Sequence, residues 1–438
     1  MEKDFNELNS AQTADEEVKE SIITHGNLKS AFAWLSFLAF FSVLNETVFN
    51  VSLPDIANQF KIPPSTANWV NTGFIIFFAI GTLIFSKISD TYGVKRLLVT
   101  GLLIYSGGSF FGFLAQFSFP SVIVARIIQG IGASAVPGLI MVIVAKYIGS
   151  KDRGKAFGLI GSMVALGEGI GPVIGGIIAD YIHWSFLFLL PMMTLVSIPF
   201  FLKVLPNEIT PKGKLDVVGV KSQLSTGIMT FTLPSLFLNR KFMAGVLAGC
   251  VLLGTVAGFV SMIPYLMRDV HQLTASMIGG GIIFPGTISV VLFGIVGGTL
   301  VDKRGINLVW YLGIILIVTS FLVIALFLDT TPWLMSAALI LTFGGLSFVK
   351  TVISTTVAEA LESNEAGAGM GMLNFACFMA EGVGIAMVGG LLSQRLLDFP
   401  LLPTVTLSTA FLFSNMILLL IVFIIIGGVI YTMAYRRS

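Results

Sequence analysis

The chain has 438 residues, 55% of them hydrophobic and only 11% charged, with a mean hydropathy of +0.94. A soluble globular protein carries about 25% charged residues, so this composition excludes a soluble domain and points to an all-α integral membrane protein. The net charge of +2 gives no reason to expect a nucleic-acid partner. Apolar runs of about 20 residues exclude a membrane β-barrel, whose strands are about 10 residues long and alternate in polarity.

In chain order, residues 1–30 read as a disordered cytoplasmic tail, with seven acids against three lysines. Six spans follow within 31–205, at about 31–56, 69–86, 97–115, 121–148, 156–180 and 184–205. Residues 206–240 read as a polar cytoplasmic linker. Six more spans fall within 241–434, at about 242–266, 275–300, 307–328, 333–357, 366–392 and 409–433. An even count puts both termini on one side. With the N-terminus in the cytoplasm, 21 of the 25 lysines and arginines fall inside, Lys350 among them. Lys61, Arg268 and Arg395 fall outside, and Arg126 lies within a span. The positive-inside rule therefore predicts a multi-pass protein of the cell membrane with both termini cytoplasmic.

The run GKAFGLIGSMVALGEGIGPVIGG, residues 154–176, carries one carboxylate, Glu168, in an otherwise apolar span. A charge at membrane depth costs roughly 2.5–3.5 kcal/mol on insertion scales, so it needs a reason to be there. The glycines recur mostly three or four apart, which makes a smooth helix face for close backbone approach. Pro172 removes one backbone donor just beyond the acid. Residues 367–390, GAGMGMLNFACFMAEGVGIAMVGG, repeat the pattern: Gly154 matches Gly367, Glu168 matches Glu381, and Gly171 matches Gly384, each 213 residues on. SKISDTYG, with Asp90 and Gly93, is echoed by GTLVDKRG, with Asp302 and Gly305, 212 residues on. Two unrelated patterns at nearly one offset indicate a duplicated unit.

Polar residues at depth are the functional candidates. Span 1 holds Asn45, Glu46 and Asn50, the last two four apart and so on one helix face. Span 4 holds Arg126 and Gln129. A guanidinium there keeps its proton and needs an acid partner or water, unless it snorkels to the surface. Each acid is read either as facing a cavity or as tying two helices together. Asp90, Lys95 and Arg96, with Asp302, Lys303 and Arg304, read either as a topological anchor or as a charge latch between moving halves. Cys250 and Cys377 lie in apolar runs and read as packing residues. His183 and Trp184 read as interfacial anchors. His25, His183 and His271 are scattered and make no catalytic set, so an enzyme is not expected.

SDTYGVKR after span 2, ARIIQGIGA in span 4, GEGIGPVIGG in span 5 and LNETVFNVSLPDI in span 1 resemble the signature motifs of major facilitator superfamily drug–proton antiporters. More closely, the chain from about residue 35 resembles Gram-positive bacterial tetracycline efflux proteins, through GTVAGFVSMIPY, DVHQL, KTVIST, EAGAGM and YIHWS as well. The resemblance implies two six-helix bundles, twelve transmembrane helices in all, related by a pseudo-two-fold axis. It implies proton-coupled export of tetracycline as a complex with a divalent metal such as Mg²⁺, and, in relatives of this kind, exchange of Na⁺ or K⁺ for H⁺. The metal would travel with the cargo; no cofactor and no fixed protein metal site are implied. Glu46, Arg126, Glu168 and Glu381 would couple protons or cations. Asp90, Lys95, Arg96, Asp302 and Arg304 would gate, and Asn45, Asn50, Gln129 and Asn374 are candidates for the substrate cavity. Another proton-coupled transporter of drugs or small molecules is the alternative, and a nutrient symporter a more distant one. Two departures stand out. Ser86 replaces the glycine that usually opens the first motif, and residues 206–240 are too short for the two extra central helices of the fourteen-span efflux proteins.

Overall fold

The computed structural model describes residues 25–148, 150–205, 238–361 and 366–435. Among them are twelve helices long and apolar enough to cross a membrane. They are α1 (Lys29–Phe60), α2 (Pro64–Ser86), α3 (Val94–Leu114), α4 (Phe119–Val144), α5 (Leu159–Tyr181) and α6 (Trp184–Val204). After the linker come α7 (Arg240–His271), α8 (Ala275–Val301), α9 (Ile306–Phe327), α10 (Pro332–Glu359), α11 (Gly369–Gln394) and α12 (Ser408–Tyr435). The expected tail up to residue 24 and most of the expected linker, residues 206–237, lie outside the described residues.

The two halves pack by one plan. Within each, the first helix packs on the fifth and sixth, the second and third on the fourth, and the third on the sixth. The halves meet along two seams of the same kind, α2 against α11 and α5 against α8. The glycine runs set the spacing inside each bundle, where α1 packs on α5 and α7 on α11. A Cβ on Gly167 of α5 would stand 2.7 Å from the Phe40 carbonyl oxygen of α1, and one on Gly258 of α7 would stand 2.8 Å from the Gly384 carbonyl oxygen of α11. No side chain fits at either of these two glycine seams, so glycine sets how closely the backbones approach. The echoed turns also match, with Gly93 at φ 80° and Gly305 at φ 85°, both in the region that favours glycine.

Three local departures from regular helix matter. α1 breaks after Thr47, runs through a 3₁₀ turn at Asn50–Ser52 and resumes at Leu53–Phe60, with Pro54 in the first turn, where no donor is needed. α6 is 3₁₀-helical over Trp184–Ser197. α8 contains a π-helical segment, Ile278–Ile283, whose sequence IGGGII keeps bulk off the α5 seam.

Two expectations are corrected. Helix is already formed at His25, ahead of the expected start after residue 30, because nothing in HGNLKS stops a helix from running beyond its apolar part. Trp184 is not an interfacial anchor: it is 3% exposed, packs among Phe60 and Phe188, and donates from Nε1 to Gln59 Oε1 at 2.6 Å. Burial satisfies its one polar atom within the bundle.

Candidate functional site

Between the bundles lies a cavity of about 980 Å³, part of it open to solvent. Its walls are mostly aliphatic, from Leu253, Val256 and Val260 of α7, Ile283 and Val290 of α8, and Leu346 of α10. Into this greasy space face Glu46 and Asn50 of α1, Glu168 of α5, Glu381 of α11 and Lys350 of α10. The structure thus brings together the three carboxylates singled out in the sequence, from three helices and both bundles. Lys350 is within electrostatic reach of Glu168, Glu381 and Glu46, and Glu46 of the other two acids. Among the described residues no three His, Cys, Asp or Glu side chains converge closely enough to hold a metal ion. The acids face a shared space rather than a closed cage.

Asn50 is held by a short hydrogen bond from the Asn71 amide of α2. Asn374 lines a second cavity, of about 530 Å³, which shares Leu253, Lys350 and Glu381 with the first. This space continues along α10 and α11 through Ser354, Cys377 and Asn374, toward the end where α1 begins and α12 ends. Cys250 and Cys377 are free thiols that face each other across the α7–α11 seam.

Lys350 differs from the sequence reading, which counted it among the cytoplasmic bases. It sits nine residues before Glu359, the last residue of α10, about 13 Å along the helix. Its ammonium therefore ends in the cavity. The signal was present: the expected span 333–357 already contained it.

Arg126 also differs from expectation. It is fully buried, 0% exposed, inside the first bundle rather than in the cavity. Its Nε donates to the Val70 carbonyl at 2.9 Å, and Nη1 donates to Gln129 Oε1 at 3.0 Å and Asn45 Oδ1 at 3.3 Å. The guanidinium carbon stands 4.3 Å from the ring centroids of both Phe49 and Phe74. Among the described residues no carboxylate lies within ion-pair distance of it. Carbonyl oxygens and aromatic faces replace the expected acid partner or water. Asn45 and Gln129, expected as cavity residues, are both fully buried, serve this cluster and do not line the cavity.

Of the gating candidates, the side chains of Asp90 and Asp302 lie outside those described; Lys95 is half-buried, and Arg96 and Arg304 are exposed. A gate-like cluster appears at the opposite, distal end. Arg268 of α7 pairs with Asp55 of α1 at 2.8 Å and approaches Asp180 of α5 at 4.0 Å. Asp180 in turn accepts from the backbone nitrogens of Ala275 and Ser276, at 3.0 and 2.7 Å, where α8 begins. Nearby, Asn68 of α2 donates to the Ile385 carbonyl and accepts from the Tyr265 hydroxyl, and Ser65 N donates to Ser393 Oγ. These bonds join one bundle to the other at the distal end. Sequence reasoning treated Arg268 as a loop base, although Asp55 and Arg268 are themselves 213 residues apart.

Residues 35–385 match the Major Facilitator Superfamily. The chain belongs to that family. Its members are transporters rather than enzymes, and the multidrug and resistance types recur among the relatives. Riboflavin transporter RibZ of Clostridioides difficile (strain 630) is 26% identical over 304 residues, 61% of this chain and 66% of that protein. Multidrug transporter protein MdtP of Bacillus subtilis (strain 168) is 24% identical over 402 residues, 81% of this chain and 74% of that protein. The methylenomycin A resistance protein of the same strain is 28% identical over 242 residues, 53% of this chain and 49% of that protein. The chain thus spans about half to three quarters of the length of these curated relatives. In structure it is similar to a bacterial homologue of the human lysosomal transporter Spinster, in inward-facing and unoccupied conformation. That likeness has a TM-score of 0.70 at 16% identity and covers 94% of this chain and 98% of the other, and it speaks to the fold alone.

Proposed function

We propose that this superfamily transporter is a proton-coupled antiporter that exports cationic cargo, with tetracycline carried as its divalent metal complex the first candidate and Na⁺ or K⁺ the second. The observation that carries the reading is the convergence of Glu46, Glu168 and Glu381 on one cavity between the bundles. Carboxylates in an apolar space attract either protons or a cation, and a site that holds one at a time exchanges them. Withdrawing water favours the neutral form of an acid, and wetting the site lets the proton leave. Alternating exposure of such a site to the two membrane faces makes an antiporter.

The Asp55–Arg268–Asp180 cluster would be the outer gate, with both termini in the cytoplasm, and the space past Asn374 would be the cytoplasmic entry. The apolar walls and the relatives named as multidrug and resistance proteins favour a second reading, a broader drug range on the same chemistry. The test is uptake into reconstituted inside-out vesicles with an acidic lumen. Tetracycline should accumulate, and more so with Mg²⁺. Glu168→Gln and Glu381→Gln, which have no acidic proton, should fall to the level of empty vesicles. Uptake by Glu168→Gln equal to that of the parent would overturn the reading.

A further inference from the structure

Lys350 is the charged group in the cavity that the proposed exchange does not use. It is a cation at membrane depth, which is expensive without a partner. Yet among the described residues it makes no hydrogen bond and no ion pair within 4.0 Å. It lies instead on the wall shared by both cavities, facing the space that Glu46, Glu168 and Glu381 also face. A lysine stem is flexible and its head is a compact point charge. The ammonium can therefore lean on one carboxylate or another without being locked to any.

We propose that Lys350 is a tethered counter-cation, which offsets part of the charge of the carboxylate cluster from across the cavity, is displaced from it by cationic cargo, and so sets the charge class the cavity accepts. The arithmetic is simple. With all three acids ionised the cavity carries three negative charges, and Lys350 leaves two to be met from outside. One dication, a monocation with one proton, or two protons would each restore neutrality. Without Lys350 the cavity would demand a third positive charge. The lysine thus matches the site to a cargo of no more than two positive charges, and it opposes any cationic cargo, a monocation included. This inference rests on the cation-binding part of the proposed function and not on its proton coupling.

The experiment is equilibrium binding of tetraphenylphosphonium, a lipophilic monocation, to the full chain in nanodiscs at about pH 9, where ordinary carboxyls are ionised. Lys350→Gln should bind it at least about tenfold more tightly than the parent, since one competing charge is gone. Lys350→Arg, which keeps the charge, should stay near the parent. Binding by Lys350→Gln that is equal to or weaker than the parent's overturns the proposal. So does tight binding by Lys350→Arg, or no binding by any of the three. A second measurement needs no variant. A carbodiimide converts a cavity carboxyl to an O-acylisourea; the Lys350 amine, its ammonium proton lost, attacks the acyl carbon, forming an amide bond and releasing the urea. Mass spectrometry should find that link in the cargo-free parent, and saturating tetraphenylphosphonium should suppress it. A link indifferent to the probe, or no link, counts against the displacement. If the affinity ratio holds while proton-driven uptake fails in the parent, the antiport reading falls and the role of Lys350 stands.

Discussion

Two buried cations, Arg126 and Lys350, lie in the same membrane interior and are treated in opposite ways. Arg126 is enclosed on all sides by the first bundle: carbonyl and amide oxygens accept its hydrogen bonds, and Phe49 and Phe74 lie against its faces. Lys350 faces an open cavity with three acids in range and bonds to none of them. A guanidinium with five donors in a fixed fork suits the first setting, and a flexible point charge suits the second. The contrast teaches that depth in the membrane does not by itself mark a coupling residue. What marks one is whether its partners can be exchanged.

The largest expected effect tests that contrast directly. Arg126→Ala should destabilise the protein by about 3 kcal/mol, because it orphans the Val70 carbonyl, Asn45 and Gln129 and leaves a hole between two rings. Lys350→Ala should change stability by no more than about 1 kcal/mol, since no bond is lost. Thermal unfolding in one detergent compares the two. Equal shifts would erase the distinction between a structural and an exchangeable cation.

The same comparison extends to the two glycine seams. A Cβ on Gly384 would run into the Gly254 backbone of α7, which cannot move aside. One on Gly171 would meet chiefly the Thr47 side chain, which can turn. Gly384→Ala should therefore cost about 1–3 kcal/mol and Gly171→Ala less. Gly161→Ala meets nothing within 4 Å and should be neutral or slightly stabilising. A Gly161→Ala loss as large as that of Gly384→Ala would mean that helix flexibility, not close approach, is what these glycines provide.

The fold was legible because its determinants are local and repeated. Apolar runs give the spans, and the shared offset of Glu168 and Glu381 gives the duplication. Spacing also exposed the three acids, since an ionisable group in an apolar run has few innocent explanations. Which helices face each other was less legible. Asn45 and Gln129 looked like cavity groups because polarity shows depth, not direction. Lys350 was absorbed by a rule about loops, and Arg268 by its place near a span end. The Asp55–Arg268 pair needs two helices from different bundles to meet, and one chain read alone does not report that.

The distal cluster sharpens the comparison at smaller scale. Its pair is half-buried, with side-chain exposures of 28% for Arg268 and 29% for Asp55, so it is worth about 0.2–1 kcal/mol. That is enough to change the balance of two conformers up to about fivefold. Arg268→Gln should raise the reaction of a cysteine placed at the distal mouth with a membrane-impermeant thiol reagent. Exchanging the charges, Asp55→Arg with Arg268→Asp, should bring it part-way back, with Asp180 limiting the recovery because it still expects a cation nearby. No change in Arg268→Gln would mean that the uncharged bonds at Asn68 and Ser65 hold the end shut unaided.

An effect of the same order as that of the distal pair concerns an acid with no cavity to serve. Asp329, in the loop between α9 and α10, accepts through Oδ2 from Thr406 N at 2.7 Å, Thr406 Oγ1 at 3.1 Å and Leu407 N at 3.2 Å. Partial burial pushes its carboxyl up, but these donors outweigh that and hold it below its ordinary value. A carboxyl lowered by folding contributes stability above its unfolded pKa, about 3.9, and loses it as pH falls through the folded value. Asp329→Ala should therefore cost about 1 kcal/mol at neutral pH, and the gap to the parent should narrow below about pH 4. Thermal unfolding at a series of pH values reads this out. A gap that stays constant into acid would mean that packing of the α11–α12 loop, and not the carboxylate charge, anchors the two loops. Asp329 would then resemble Arg126, a group valued for its shape, rather than the acids of the cavity, whose charge is the point.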